Sequence, residues 1–217
     1  MKIAVLGRGK SLNRYKPTGY DKLYLVNDMT EEIKILGINM FDAEEIIHVC
    51  GRKGATVMCG DTYHNLGVNR IVVNAISLNH ICNIKRHQQS HDRKIEARPE
   101  MMNTRGYPPY GWKAILKEKT KALKSDNGNC WPTTGLFAID LALMENSPKE
   151  IHLFGFDLYQ RNYLIKKNRP HQTKSNPKVK AMKMCLEKLV REFKETKFYN
   201  YSEINIEAEN WNTQKNG

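Results

Sequence analysis

Residues 130–159 of this 217-residue chain read CWPTTGLFAIDLALMENSPKEIHLFGFDLY. The Pro-Thr-Thr-Gly segment predicts a tight turn, the apolar run after it predicts a buried helix, and residues 151–154 predict a buried strand that ends at Gly155. Thr133 and Thr134 are suited to cap the start of the helix. The free N–H groups and the positive dipole end at such a helix start favour an anion, and a phosphate is the expected one.

A second glycine-rich turn lies near the N-terminus. Residues 2–6 predict a buried strand that runs into the sequence GRGKS at residues 7–11. This is not a P-loop, because that motif requires a glycine where Ala4 stands. It is not a full dinucleotide fingerprint either, because Leu12 replaces the third glycine. We expect a strand-to-helix turn, capped by Ser11, that lets a ligand phosphate approach the backbone.

Further elements follow from apolar patterning along the chain. The regions predicted as strands are residues 22–26, 45–49, 70–74 and 198–201, and those predicted as helices are residues 29–36, 55–66, 113–124 and 178–194.

The turn, helix and strand of residues 130–159 together resemble the small sialyl motif of the eukaryotic-type sialyltransferases. In that family a Pro-Ser-Thr-Gly turn opens a helix, and a hydrophobic strand ends in Tyr-Gly-Phe. The N-terminal glycine-rich turn and the strand after it are similar to the family's large motif, in which the strand ends near an asparagine that contacts the nucleotide. The resemblance implies a Rossmann-like three-layer α/β sandwich with a mostly parallel sheet, a GT-A-like variant, and a glycosyltransferase activity.

The resemblance also implies that a nucleotide-sugar donor, CMP- or UDP-linked, binds between the two motifs. Tyr159 and Tyr163 follow the strand end and are expected to bond the leaving phosphate. The positions expected to bind the donor are Gly7, Gly9, Ser11, Asn27, Asp28, Thr133, Thr134, Gly135, Tyr159 and Tyr163.

Sugar transfer with inversion requires a base that takes a proton from the attacking hydroxyl, and histidine suits this role at neutral pH. In the resembled family the base is a histidine between the strand end and a helix that carries a glutamate. Here that position is taken by His171, and the helix after it contains Glu187. The resemblance therefore implies His171 as the base, with His87 and His91 as the alternatives.

No Asp-x-Asp pair occurs in the sequence. Most metal-dependent glycosyltransferases hold a divalent cation on the donor diphosphate through such a pair. We therefore expect no metal and no cofactor beyond the donor itself. Neutralisation of the leaving phosphate then falls to helix N-termini and to basic residues such as Arg161 or Lys166.

The formal net charge is +12, from 35 basic and 23 acidic residues, and its distribution is uneven. Residues 85–124 contain 11 basic and 4 acidic residues, and residues 161–197 contain 12 and 3. A solvated lysine-rich face would need no partner. A localised basic field favours a polyanionic partner, such as a nucleic acid, an anionic glycan or a nucleotide phosphate.

Residues 83–112 hold histidines, arginines and aromatic residues but few aliphatic ones, and the segment is too long for an ordinary connection. We expect a lid or acceptor loop. The two expected acceptors are an anionic glycan and a hydroxymethylated base in DNA, flipped from the stack as in phage DNA glycosyltransferases. The positions expected to bind the acceptor are His87, His91, Arg105, Tyr107, Tyr110, Trp112, Arg161 and Lys166.

The remaining expectations concern the whole chain. We expect one glycosyltransferase domain over residues 1–206 and a frayed polar tail over residues 207–217. Five scattered cysteines without a Cys-x-x-Cys pair indicate reduced thiols in a cytoplasmic protein. The first apolar run is a strand rather than a signal peptide, and no apolar stretch is long enough for a membrane span. A non-catalytic nucleotide- or nucleic-acid-binding module is the alternative function.

Overall fold

A computed structural model describes residues 1–17, 19–51, 61–68, 70–74, 94–97, 133–158, 164–165 and 177–214. The strands in this part of the chain are β1 (Lys2–Leu6), β2 (Tyr20–Val26), β3 (Ala43–Gly51), β4 (Arg70–Asn74), β5 (Lys94–Ala97), β6 (Glu150–Phe154), β7 (Lys197–Asn200) and β8 (Trp211–Thr213). The α-helices are α1 (Thr30–Leu36), α2 (Asp61–Asn65), α3 (Thr134–Asn146) and α4 (Pro177–Glu192). Two 3₁₀ helices cover Lys10–Arg14 and Ile38–Met40.

The described strands form one sheet in the order β5-β4-β3-β2-β1-β6-β7-β8. Every neighbouring pair in this sheet is parallel. From β1 the chain first builds outward to β5, and it later returns to β6 on the other side of β1. The strand order therefore reverses between β1 and β6, and ligands of open α/β sheets bind outside the carboxyl ends of the strands at such a switch point.

The sheet is buried on both faces, as its apolar strands require. In β1, Ile3 and Val5 join the cluster that contains α3 and α4, whereas Ala4 and Leu6 join the cluster with α1, α2 and the first 3₁₀ helix. The expected three-layer α/β sandwich is confirmed, with a sheet that is parallel in all described pairs.

Helix α3 is the buried helix expected after the Pro-Thr-Thr-Gly turn. All eight residues from Leu136 to Leu143 are buried. A helix enclosed on all sides reads as a nearly continuous apolar run rather than as an amphipathic stripe, and here the buried Asp140 interrupts the run. The helix ends at Ser147, which has a left-handed backbone with φ 42°.

Part of the expected lid is a strand instead. Within residues 83–112, the four residues of β5 pair in parallel with β4 at the edge of the sheet. The Arg70 guanidinium bonds Glu96 of β5, and its other end lies 2.5 Å from Glu145 at the end of α3. These ion pairs join β4, β5 and α3, so the segment cannot be a lid throughout.

The expected frayed tail also contains a strand. Trp211 opens β8, is 7% exposed, and stands in register with Phe198 of β7. The chain before it contributes the buried side chains of Ile204 and Ile206 to the core. Burial of these apolar side chains holds residues 204–213 against the sheet, although the surrounding sequence is polar.

Two observations complete the description of the fold. Cys50 on β3 and Cys185 on α4 are fully buried. In the part of the chain that the structure describes, no helix is both long and apolar enough to cross a membrane.

Candidate active site

The turns that follow β1 and β6 meet at the switch point of the sheet. The Gly7 N–H donates to the Phe154 carbonyl at 2.7 Å, and the Gly9 N–H donates to the Gly155 carbonyl at 2.9 Å. These two bonds extend the pairing of β1 and β6 beyond their last residues. The two turns, residues 7–11 after β1 and residues 155–157 after β6, therefore form one rigid surface at the carboxyl edge of the sheet. We call this surface the floor.

Glycine is required in this floor by the close approach of the two backbones. Gly155 has φ +73°, and a Cβ on it would lie 2.2 Å from the Gly7 carbonyl oxygen. A Cβ on Gly9 would lie 2.4 Å from a carboxylate oxygen of Asp157. The glycine-rich turn at residues 7–11 is expected to let a ligand phosphate approach the backbone, but the Cβ position of Gly9 is filled by Asp157 and Gly155 of the turn after β6.

Asp157 is the centre of the hydrogen bonds that join the two turns, and it is 6% exposed. Its Oδ1 accepts from the Ser11 hydroxyl at 2.6 Å, and its Oδ2 accepts from the Ser11 N–H at 3.1 Å. The Ser11 hydroxyl in turn accepts from the Gly155 N–H at 3.0 Å. Sequence reasoning missed Asp157, although its position in Gly-Phe-Asp, just after a buried strand, marks it for the carboxyl edge.

The expected capping role of Ser11 is wrong. The 3₁₀ helix begins at Lys10, with Gly9 at its N-cap and no side-chain capping bond. Ser11 lies inside that helix, and its hydroxyl bonds Asp157 and Gly155 instead. The hydroxyl donates a charge-assisted bond to the buried carboxylate, and it accepts from the Gly155 N–H instead of from a helical N–H. Ser11 therefore contributes to the floor by joining its two turns.

Asp157→Asn is expected to lower the free energy of unfolding by about 1–3 kcal/mol, because an amide cannot accept both bonds from Ser11 and a buried donor is left unsatisfied. Urea unfolding of the purified variant measures this. Asp21→Asn is the matched control, since that half-buried carboxylate accepts one bond, from the Lys2 N–H, and the new amide oxygen can still accept it. Equal stabilities of the two variants would contradict the bridging role of Asp157.

A third turn reaches the same edge of the sheet at the end of β2. Asn27 has a left-handed backbone with φ 62°, which asparagine tolerates better than most residues. Its N–H donates to the Val49 carbonyl at 2.8 Å, and its carbonyl accepts from Nε2 of His48 at 2.6 Å. The backbone of Asn27 is thus held from β3 by two bonds.

Asp28 lies just before the helix that follows and bonds its first residue. Its Oδ1 accepts from the Thr30 N–H at 3.1 Å, and Thr30 is the first residue of α1. Met29 is the N-cap residue and makes no side-chain capping bond, and the nearby Asp28 carboxylate favours the positive end of the helix dipole.

An aromatic pair beneath this turn fixes it to the core. The ring of His48 is fully buried and stacks on Tyr63 at a centroid distance of 4.3 Å. The Tyr63 hydroxyl accepts from the Met29 N–H at 2.6 Å, and burial raises the pKa of this phenol well above its usual range. Tyr63 therefore stays neutral, and the buried ring of His48 is part of the core.

The start of α3 completes the described edge. Thr133 is the N-cap, and its Oγ1 accepts from the Leu136 N–H at 3.3 Å, as expected. Thr134 is the first helical residue rather than a second cap. Gly135 packs on the ring of Phe156, which directly follows Gly155. This contact brings the N-terminus of α3 to the turn after β6.

His152 is the histidine that the structure describes on β6, and it is unsuited to act as a base at this edge. It lies two residues before Phe154, is 6% exposed, and stacks on Tyr199 at 4.6 Å. Its Nδ1 is 3.1 Å from the Tyr201 hydroxyl, and its Nε2 is 3.4 Å from Glu150. Burial lowers the pKa of His152 from its ordinary value, and Glu150 offsets this only in part.

The structure thus brings eight of the expected donor residues, together with Gly155 and Asp157, to one edge of the sheet. The other expected site residues lie outside the described part of the chain. They are His87, His91, Arg105, Tyr107, Tyr110, Trp112, Tyr159, Arg161, Tyr163, Lys166 and His171.

The fold is similar to that of a bacterial sialyltransferase. The structure of CstII from Campylobacter jejuni with cytidine-5'-monophosphate matches with a TM-score of 0.56 and 16% identity, covering 93% of this chain and 79% of that one. The structure of CST-II with a trisaccharide acceptor and CMP gives 0.55 and 16%, with 93% and 81% covered. CstII with CMP-3FNeuAc gives 0.52 and 16%, with 92% and 80% covered.

At this identity the likeness concerns the fold, and it confirms the expected sialyltransferase-like α/β architecture. No model of a protein family matches the chain, and no curated protein matches it.

Proposed function

We propose that this protein is a glycosyltransferase that binds a nucleotide-sugar donor at the switch point and transfers the sugar to a hydroxyl acceptor without a metal ion. The observation that carries the proposal is the rigid floor formed by the turns after β1 and β6, joined by Ser11 and Asp157, beside the start of α3. It lies where nucleotides bind in open α/β sheets. The solved structures of similar fold are those of a sialyltransferase with CMP, which supports a cytidine donor.

The donor is proposed to lie across this floor. The N–H groups at the start of α3, from Thr134 and Gly135, are suited to an anionic group, because a helix N-terminus combines free donors with a positive dipole end. Asn27 and Asp28, at the end of β2, are proposed to bond the nucleoside, as acidic residues at this position bond a ribose hydroxyl in other doubly wound folds. Tyr159 and Tyr163 are proposed to bond the leaving phosphate.

The proposed reaction is an inverting displacement at the anomeric carbon. The acceptor oxygen forms a bond to that carbon as its proton passes to the imidazole of His171, and the bond from the carbon to the phosphate oxygen breaks. The electron pair leaves with the nucleoside monophosphate. Arg161, Lys166 and the start of α3 are proposed to stabilise the negative charge that develops on the phosphate.

A glycan hydroxyl is the acceptor that the structural comparison supports, since one of the similar structures holds a trisaccharide acceptor. A hydroxymethylated base in DNA is the second candidate, and the local excess of basic residues in two segments favours it. Residues proposed to bind either acceptor are His87, His91, Arg105, Tyr107, Tyr110 and Trp112. If DNA is the acceptor, the affinity for duplex DNA should fall steeply with added salt. Weak binding that does not depend on salt would count against a DNA acceptor.

The proposal is tested by a thermal-shift panel of the purified protein with CMP, UMP, UDP and their sugars, each with and without EDTA. A ligand that binds the folded state raises the melting temperature. We expect a shift with CMP or CMP-sugars that EDTA leaves intact. A shift confined to uridine compounds would indicate a uridine-linked donor in place of a cytidine-linked one. No shift with any of these nucleotides or nucleotide sugars would contradict the proposal and favour a non-catalytic nucleic-acid-binding module.

A pair of asparagine variants assigns the shift to the switch point. Asn27→Gly removes the side chain while tolerating the left-handed backbone, so the CMP shift should be lost. Asn39→Gly is the matched control, because that asparagine is exposed in the second 3₁₀ helix, and its CMP shift should persist.

A further inference from the structure

The glycine-rich turn after β1 carries an ion pair with an unusual environment. Arg8 lies between Gly7 and Gly9, and its Nε donates to Oε1 of Glu32 at 2.9 Å. The Glu32 side chain is fully buried, whereas 21% of the Arg8 side chain is exposed. The pair thus joins a carboxylate inside the protein to an arginine side chain that reaches the surface.

Stability alone does not explain such a pair. Burying a carboxylate is costly, and an ion pair recovers the cost only when the remaining lone pairs are also satisfied. The second oxygen of Glu32, Oε2, is buried and has no hydrogen-bond partner among the described residues. By contrast, Lys22 and Glu45 form an ion pair on the same sheet with 24% and 28% of their side chains exposed, which avoids this cost. What the buried Glu32 does achieve is to hold the guanidinium of Arg8 in one place.

That place belongs to the carboxyl edge of the sheet. Arg8 is part of the floor between β1 and β6, and its carbonyl accepts from the Leu164 N–H at 2.9 Å. Glu32 lies on α1, directly after the Asn27 and Asp28 turn. The Arg8 side chain therefore extends from the turn after β1 to the first turn of α1, which follows the Asn27 and Asp28 turn at the end of β2.

We propose that Arg8 binds the phosphate of the nucleotide and that Glu32 is a positioning residue that fixes its guanidinium; this inference rests on the proposed function. A guanidinium presents planar, forked donors that match phosphate oxygens, and its geometry relative to Glu32 is set by the Nε–H bond. In a site without a metal ion, a fixed cation in the floor neutralises the phosphate. The Arg8 side chain is partly exposed, whereas the Glu32 side chain is fully buried, so it is Arg8 that a ligand can reach.

The test compares CMP with cytidine, which lacks the phosphate, by calorimetric titration in EDTA. Arg8→Gln with Glu32→Gln replaces the ion pair by two amides and leaves no unpaired buried charge, so the double variant should fold. The matched control is Lys22→Gln with Glu45→Gln, which makes the same charge change at the other ion pair. Melting temperatures of both double variants establish that they are folded.

We expect the double variant at Arg8 and Glu32 to bind CMP about 10- to 100-fold more weakly than the unmodified chain, as the loss of a charged hydrogen bond predicts. Its affinity for cytidine should not change, and the control should keep both affinities. Glu32→Gln alone should lower the ratio of CMP to cytidine affinity by a smaller factor, because an amide oxygen still accepts the Nε–H bond. An unchanged ratio in the double variant, or an equal loss of both ligands, would overturn the inference.

Failure of the proposed function would be distinct from failure of this inference. If the unmodified chain binds neither CMP nor cytidine, the cytidine donor is wrong, and inorganic phosphate becomes the probe. A phosphate-dependent rise in melting temperature that the double variant loses would still support Arg8 as an anion-binding residue. No such rise, or one that the double variant keeps, would overturn it.

Discussion

Replacing Gly155 with alanine is expected to lower the free energy of unfolding by about 2–5 kcal/mol, from about 1–2 for a left-handed backbone and about 1–3 for overpacking. The position has φ +73°, which disfavours any residue with a Cβ. An alanine Cβ there would also lie 2.2 Å from the Gly7 carbonyl oxygen, which belongs to a backbone that cannot rotate away. Because Gly7 lies in the floor of the proposed donor site, the CMP-dependent thermal shift should be lost together with stability.

Gly67→Ala separates the two causes. Gly67 has φ +75°, nearly the same as Gly155, but nothing lies within 4 Å of the Cβ that alanine would add. It should therefore lose only the backbone part, about 1–2 kcal/mol. Urea unfolding of both variants measures the difference. If Gly155→Ala were no less stable than Gly67→Ala, the two turns would not be packed as closely as described.

Local pattern in the sequence was sufficient for several inner strands of the sheet and for α3. The strands expected at residues 2–6 and 70–74 have the observed bounds of β1 and β4, and the buried helix and strand of residues 130–159 are α3 and β6. Most residues of these elements are apolar and buried, apart from Asp140 and His152, so consecutive apolar residues in the sequence indicate their burial. The resemblance to the sialyl motifs then implied that the turns at residues 7–11 and 132–135 bind the same donor.

The elements that were missed depend on partners distant in the chain. The strand β5 has only four residues, alternates polar and apolar side chains, and is held by the pairing with β4 and by the bonds of Arg70. Strand β8 has three residues in a polar segment. Asp157 was missed because its partner Ser11 is 146 positions away, and nothing near either residue indicates the other.

His171→Ala is expected to lower kcat by about 100- to 10,000-fold, the contribution typical of a general base. The acceptor hydroxyl would keep its proton during attack, whereas the affinity for CMP should stay nearly unchanged because the proposed base would act on the acceptor and not on the nucleotide. Turnover of donor and acceptor measures kcat, and calorimetry measures CMP affinity.

His64→Ala is the matched histidine control, since His64 is exposed on α2, and it should keep full turnover. If His171→Ala also kept near-full turnover, the assignment of the base would fail. His87 and His91 would then be the next candidates to replace.

Release of CMP from a CMP-linked sugar by the unmodified chain in EDTA is the measurement to make first. Transferases commonly pass a sugar slowly to water, so a metal-independent glycosyltransferase with a cytidine donor should release CMP without any acceptor and at an undiminished rate in EDTA. Release that stops in EDTA would contradict metal independence. No release from any nucleotide sugar, with or without acceptors, would contradict the proposed transfer itself.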